Sequence, residues 1–313
     1  MAHLISSKSW LDNNKVDLNA KINQSVLPHA LLLKGYALAG QDELAVWLAN
    51  KLLCTDKSEF DACGRCKSCL LLASKSHPDI QIIDNGDKTI GVDLVRQASQ
   101  FFQKTAQLGQ NKVVIIKSSE YMTEAAANAL LKTLEEPTQN SFLLLTCNDA
   151  DLLLPTIISR CSQIQIQPPV GQELADLVDD KSILHDFSNI NQFAELTDDF
   201  TKQAYLEFNQ QLILWLQNFA DYSQLMTLFN NNNQSLRWLV DCFHQLIRMQ
   251  SGWADALSSH PAKLLQDKYT TEQLWQCLHL AMQANKQIKL LTQANKNFTI
   301  EALLVDIEQQ LQK

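Results

Sequence analysis

Glycine and proline are scarce in this chain, eight and seven residues among 313. That scarcity excludes collagen-like, low-complexity and Pro/Gly-rich disordered classes and leaves room for many helices. Positive charge is also short: 26 Lys and Arg against 34 Asp and Glu give a formal net charge of -8. A protein that holds duplex DNA by itself needs a basic face to neutralise phosphates, so this balance argues against that class, although local basic patches remain compatible with it. No apolar run reaches the length that crosses a bilayer. The opening Met1-Ala2-His3-Leu4 has no basic stretch followed by a long apolar run, so neither a membrane partner nor a secretory signal is expected and the expected location is the cytoplasm. In that compartment the eight cysteines stay mostly reduced, and a tight cluster among them points to a metal rather than to disulfides.

What is abundant is apolar residues, 46% of the chain, enough for two or three domains each with its own core. The first half alternates strand-like and helix-like segments, the pattern of an α/β domain with a parallel sheet. Strands are expected at Ala30 to Leu33, Ile80 to Ile83, Val113 to Ile116, Phe142 to Thr146 and Ile164 to Ile166, each short and apolar or alternating. A helix is expected over Thr123 to Glu136, capped by Thr123, striped by Leu130, Leu131 and Leu134, and stopped by Pro137. Pro168-Pro169 marks a boundary. The expected division is a P-loop-like domain over 1–167, a small helical domain over 168–204 and an all-helical domain over 205–313, with Trp215, Trp238 and Trp275 packing its core.

The first expected strand runs into Gly35-Tyr36-Ala37-Leu38-Ala39-Gly40-Gln41-Asp42. Gly35 and Gly40 hold the spacing of a Walker A loop, G-x-x-x-x-G-K-[ST], in the strand-to-helix setting that the motif requires. Gln41 stands where Lys would meet the phosphates, and Asp42 where Ser or Thr would bind magnesium. A carboxylate about 4 Å from a phosphate costs on the order of 4 kcal/mol at an effective dielectric near 20, roughly a thousandfold in affinity. Asp42 also suits the positive end of a helix dipole. At the end of the third expected strand an active P-loop ATPase keeps an Asp for magnesium. Here Lys117 and Ser118 follow Ile116, and the nearest acid, Glu120, is displaced. Two separate places therefore lack the same chemistry, and no ATP is expected on this chain.

Cys54, Cys63, Cys66 and Cys69, within a module spanning 54–69, read C-x8-C-x2-C-x2-C. Four thiolates at such spacing can close a tetrahedral structural zinc site; iron-sulfur ligation and fortuitous thiols are the other readings. The Gly64-Arg65 turn lets the backbone wrap a metal. Lys57, Arg65 and Lys67 are either a nucleic-acid contact or a solvated face. Cys147, Cys161, Cys242 and Cys277 are scattered and read as buried thiols. His77 and Asp79, flanking Pro78, read as a turn rather than a catalytic pair.

The run Asn128-Ala129-Leu130-Leu131-Lys132-Thr133-Leu134-Glu135-Glu136-Pro137 closely resembles the ATPase-type subunits of the bacterial DNA polymerase III clamp loader, of the AAA+ class. Pro28-His29-Ala30-Leu31-Leu32, the cysteine cluster and Ser159-Arg160-Cys161 carry the same resemblance. It implies a AAA+ module, a helical lid and a helical collar, set in a ring with delta and three gamma or tau subunits. That ring opens the beta sliding clamp and closes it on primed DNA, so primer-template and clamp are reached through the complex. Motor subunits, gamma and tau, keep the Lys and Ser/Thr of the loop and an Asp-Glu pair. Without them this chain looks like a member that does not hydrolyse ATP and is no enzyme by itself, polymerase activity belonging to the holoenzyme. The resemblance also implies a zinc module. It carries onto Arg160, between Ser159 and Cys161, the role of an arginine that reaches the γ-phosphate on a neighbouring subunit; considered alone, Arg160 reads as a surface ion pair. An active gamma/tau-like ATPase with an altered loop and a zinc-dependent nucleic-acid-binding module are the rival classes.

Overall fold

A computed structural model of the chain describes residues 8–36, 38–56, 59–86, 88–175, 195, 198–219, 222–253, 264–265, 267–288 and 293–312. The chain divides into two compact units, Met1–Pro169 with Asn189–Asn191, and Val170–Ser188 with Gln192–Lys313. Of the small helical domain expected over 168–204, residues 176–194, 196 and 197 lie outside the described residues.

The first unit holds a five-stranded sheet in the order β2-β3-β4-β1-β5, all pairs parallel. The strands are β1 (Ala30–Lys34), β2 (Ile80–Ile83), β3 (Lys112–Ile116), β4 (Ser141–Cys147) and β5 (Ser162–Gln165). All five fall where the apolar runs predict them; β5 starts two residues early, and Ile166, counted in it from sequence, is buried just beyond. The helices of this unit are α1 (Asp12–Asn23), α2 (Gln41–Leu53), α3 (Lys67–Ala73), α4 (Val92–Gln103), α5 (Glu124–Glu135) and α6 (Pro155–Ile158).

Parallel strands covered on both faces read as continuous apolar runs, because successive side chains enter opposite layers. Leu31, Leu33, Val113, Ile115 and Leu144 pack with Leu44 and Leu48 of α2. Their alternates Ala30, Leu32, Val114, Ile116 and Leu145 pack with Val95 and Ala98 of α4 and with Leu130 and Leu134 of α5. Helix α5 starts as its sequence dictates: the Thr123 hydroxyl accepts the Ala126 N–H at 3.1 Å. Pro137 disfavours helical geometry at the residue before it, and Glu136 is accordingly out of the helix at φ -123, ψ 70.

The second unit is helical: α7 (Gly171–Ala175), α8 (Asp199–Asn218), α9 (Ser223–Asn231), α10 (Ser235–Gln250), α11 (Thr271–Ile288) and α12 (Gln293–Leu311). Its core includes Phe208, Trp215, Phe229, Trp238, Phe243, Cys277, Ile300 and Leu304. Phe208 and Phe229 meet edge to face with centroids 5.1 Å apart, the geometry that the ring quadrupole favours. Trp215 and Trp238 are core residues as expected, but Trp275 is 54% exposed. On α11 the buried stripe is Leu274, Cys277, Leu278 and Ala281, the i, i+3, i+4, i+7 set of one helix face, and residue 275 falls outside it. Among the described residues no helix is long and apolar enough to cross a membrane.

Candidate functional site

The loops after β1, β3 and β4 converge at the carboxyl ends of adjacent strands, the place where open α/β sheets bind ligands. A cavity of about 730 Å3 lies there, lined by Leu38, Gly40, Gln41, Asp42, Lys117 and Asn148 among others. Gly40, the second glycine of the loop, caps α2 with a left-handed backbone at φ 108. The two side chains after it make internal contacts. Gln41 is buried, and its amide nitrogen donates to the Tyr36 carbonyl at 3.2 Å and to Asn148 Oδ1. Asp42 Oδ1 accepts from the Thr146 hydroxyl at 2.6 Å, and Asp42 Oδ2 lies 3.6 Å from Lys117 Nζ. Lys117 also meets Asp84 at 2.9 Å. Burial works against a charge on Lys117, yet its bond to Asp84 and the Asp42 charge outweigh that and hold its pKa above the usual lysine value. The Lys117 bond, helped by the Gly86 N–H, holds the Asp84 pKa below the ordinary carboxylate value.

Sequence gives Asp42 two readings, a charge that repels phosphate or one that suits the helix dipole; the structure in addition sets it beside a cation. The residue at the end of β3 that replaces the expected acid, Lys117, is its partner. Glu120, the nearest acid after β3, is buried and its Oε1 accepts both the backbone N–H and the side-chain amide of Asn148, each at 3.1 Å. Ser118 sits in the left-handed region at φ 47, and its N–H donates to Thr146 Oγ1 at 3.2 Å.

The N-terminal segment ties the loop down from the other side. Lys8 Nζ donates to the Leu38 carbonyl at 2.9 Å and meets Glu43 at 2.6 Å, and the Trp10 indole donates to the Ala39 carbonyl at 2.7 Å. Leu11 packs so closely on Gly40 that a Cβ there would stand 2.9 Å from Leu11 Cδ1. Sequence reading missed Lys8, Trp10, Thr146 and Asn148. Only the opposite signs of Asp42 and Lys117 offered a signal, and it was read as two losses rather than one exchange.

The four cysteines expected to hold a metal do come together. Cys54 follows α2, Cys66 caps α3 by accepting the Cys69 N–H at 3.4 Å, and all four sulfurs lie within 4.8 Å of one another. Four sulfurs about 2.3 Å from a tetrahedral zinc stand about 3.8 Å apart; Cys54 and Cys66 are 3.9 Å apart. Gly64 turns the loop at φ 67. Burial desolvates Cys66, but hydrogen bonds from Thr55 and the Cys69 amide overcome this and bring its thiol down to about 5. Burial and the Cys66 sulfur push Cys69 up to about 12. Arg65 is paired with Asp56 at 3.1 Å and Glu59 at 3.3 Å, Lys67 is exposed, and Lys57 lies outside the described residues. The other four cysteines are buried, and burial raises the thiol pKa of Cys161 to about 11.

His77 and Asp79 are structural, as the turn reading holds. The Asp79 N–H donates to His77 Nδ1 at 3.0 Å, so the ring proton sits on Nε2 and goes to Ser68 Oγ at 2.8 Å, while Ser68 donates to the Leu53 carbonyl at 2.6 Å. Asp79 accepts the N–H groups of Gln107 and Leu108 at 2.7 and 2.8 Å.

Ser159 and Arg160 are exposed between buried Ile157 and Cys161. Arg160 makes the ion pair that its residue type alone suggests: Nε and Nη2 both reach Glu135 Oε1, at 2.9 and 2.7 Å, and Nη1 donates to the Thr156 carbonyl at 3.1 Å.

Fold and site together define a parallel five-stranded α/β domain with a glycine-bearing loop after its first strand, followed in sequence by a helical region. The family described as DNA polymerase III, delta subunit, matches residues 11–170. DNA polymerase III subunit delta' of Haemophilus influenzae is 30% identical over 305 residues, 89% of this chain and 88% of that protein. The delta' of Pseudomonas aeruginosa is 47% identical over 137 residues, 43% of this chain and 42% of that protein, so there the match spans less than half of the relative's length. A solved structure, a DNA polymerase III gamma subunit-related protein from Thermotoga maritima, aligns over 96% of this chain and 99% of its own at 16% identity and a TM-score of 0.42. The chain belongs to the delta-prime subunit family of the bacterial DNA polymerase III clamp loader.

Proposed function

We propose that this chain is a clamp-loader subunit that neither binds nor hydrolyses ATP, and that it acts as a fixed member of a ring with gamma or tau and delta subunits, which loads the beta sliding clamp on primer-template DNA in the cytoplasm. The observation that carries the reading is the Lys117–Asp42 contact at 3.6 Å: the magnesium position of the loop holds an acid, and that acid is already bound to the chain's own cation. Triphosphate would have to displace this pair and would find Gln41 in place of the lysine that meets its phosphates. Residues 168–204 and 205–313 serve as lid and collar in this reading. Zinc is the metal proposed for Cys54, Cys63, Cys66 and Cys69; with four thiolates there is no open position for a catalytic water, so it fixes the 54–69 module. Arg160, on the exposed Ser159-Arg160 step before buried Cys161, is proposed to reach the ATP held by a neighbouring subunit and to stabilise transition-state charge there.

The open cavity beside the loop favours one rival, an ATPase with an altered loop. Titration of the isolated chain with Mg-ATP, followed by calorimetry, separates the two: no saturable binding is expected up to about 1 mM, a limit near -4 kcal/mol, and tight binding would remove the proposal. In a complex reconstituted with gamma or tau and delta, Arg160→Ala is expected to fold and assemble normally yet slow DNA-stimulated ATP hydrolysis. Unchanged turnover would remove the role given to Arg160.

A further inference from the structure

We infer that Glu135 is the positioning residue for Arg160, holding its guanidinium in the one orientation from which it can meet a phosphate on another subunit; the inference rests on the role proposed above for that arginine. Glu135 is the last residue of α5, where a carboxylate faces the negative end of the helix dipole and gains nothing from it. It is not there to stabilise its own helix. What it does is accept the Arg160 Nε–H on Oε1 at 2.9 Å and hold Nη2 in an ion-pair contact with the same oxygen at 2.7 Å, while Nη1 reaches the Thr156 carbonyl at 3.1 Å and the Ser159 hydroxyl at 3.5 Å.

A guanidinium has five N–H donors. These contacts account for at most four, so at least one remains for a ligand while the rest fix the plane. The backbone beneath is anchored too: the Arg160 N–H bonds to the Ile157 carbonyl at 3.1 Å and the Ser159 N–H to the Pro155 carbonyl at 3.0 Å, with Ile157 and Cys161 buried on either side. An exposed ion pair contributes little to stability, and the pair needs no stabilising role to matter. A long side chain that sweeps many rotamers delivers its charge to one place only part of the time; one held by an acid, a carbonyl and a hydroxyl delivers it ready oriented, which is where rate enhancement by positioning comes from. The acid also comes from a different element than the arginine, so the packing of α5 against α6 sets the direction in which Arg160 points.

The test uses the complex reconstituted with gamma or tau and delta subunits, together with the isolated chain. Glu135→Ala is expected to lower DNA-stimulated kcat for ATP about 3-fold to 10-fold, with KM for ATP within about twofold, since orientation of the transition-state contact is lost and ground-state binding is not. Glu135→Gln keeps an oxygen acceptor and is expected to retain at least about half of the parental kcat. Adding Glu135→Ala to Arg160→Ala is expected to lower kcat no further. In the isolated chain, the Arg160 Nε–H resonance, identified by its loss in Arg160→Ala, is expected to shift in Glu135→Ala. A normal kcat for Glu135→Ala alongside a slow Arg160→Ala overturns the inference and leaves the arginine's role standing, and so does a full additive loss in the double variant or a Glu135→Gln as slow as the alanine. A normal kcat for Arg160→Ala overturns the role itself, and the inference with it.

Discussion

His77→Phe is expected to destabilise the first unit in a way that depends on pH, and both the size and the sign follow from its hydrogen-bond relay. Phenylalanine replaces the imidazole with a somewhat larger aromatic ring that can neither accept the Asp79 N–H nor donate to Ser68. Ser68 keeps its own bond to the Leu53 carbonyl, so the main loss is the buried N–H of Asp79, about 1–3 kcal/mol for a group left unpaired. For a unit of this size about 2 kcal/mol lowers the melting temperature by about 4–8 °C. Desolvation holds the His77 pKa below its ordinary value, outweighing the Asp79 and Cys66 charges that work the other way. The unfolded chain therefore takes up the His77 proton at a higher pH than the folded chain does. The stability that comes from keeping the ring neutral is complete above about pH 6.5 and is lost as the pH falls through that value toward the folded-state pKa. The variant has no such proton, so its deficit relative to the parent is largest near neutral pH and narrows on acidification. Thermal unfolding of parent and variant at about pH 7.5 and about pH 5.5, in buffers without chelator, measures both terms. A deficit that stays constant or grows as the pH falls would refute the relay and the tautomer assigned to His77.

The protein isolated without chelator is expected to carry about one zinc per chain by atomic emission; Cys66→Ser should lower that content and expose residues 54–69 to protease, and full metal retention would count against the site. In the helical unit Trp238→Ala is expected to cost about 3–5 kcal/mol, whereas Trp275→Ala should stay within about 0.5 kcal/mol. Chemical denaturation followed by far-UV circular dichroism checks the two together, and equal losses would contradict their burial.

The central strands were legible because parallel strands buried on both faces leave uninterrupted apolar runs, as around Leu31, Val114 and Leu144, whereas the edge strands around Ile82 and Ile164 showed only a short or alternating pattern. Helix α5 announced both its ends, through Thr123 and Pro137. The cysteine cluster was legible because metal-ligand spacing is local in sequence. Trp275 was misread because composition gives no face. The pocket was the least legible part: the pairings of Gln41 with Asn148 and of Asp42 with Thr146 and Lys117 join residues 75 to 107 positions apart, and no local pattern carries such distances. The partner of Arg160, 25 positions away on α5, was invisible for the same reason, although both residues were already noted for separate motifs.

The close seating of Leu11 on the second glycine of the loop bears on how such motifs are interpreted. At Gly40 a methyl group would meet the leucine at 2.9 Å and the Lys8 chain at 3.0 Å, on a backbone with φ +108. At Gly35 it would stand 3.2 Å from the Ala39 methyl and 3.3 Å from Ile166. Gly40 therefore demands the smallest residue for reasons of crowding and backbone conformation, and Gly35 sits in a tight fit with its neighbours, in both cases without a ligand entering the argument. Glycine spacing of this kind can thus follow from how the loop packs against its own chain, and a search for nucleotide sites gains by asking what fills the last two places of the loop as well as where the glycines fall.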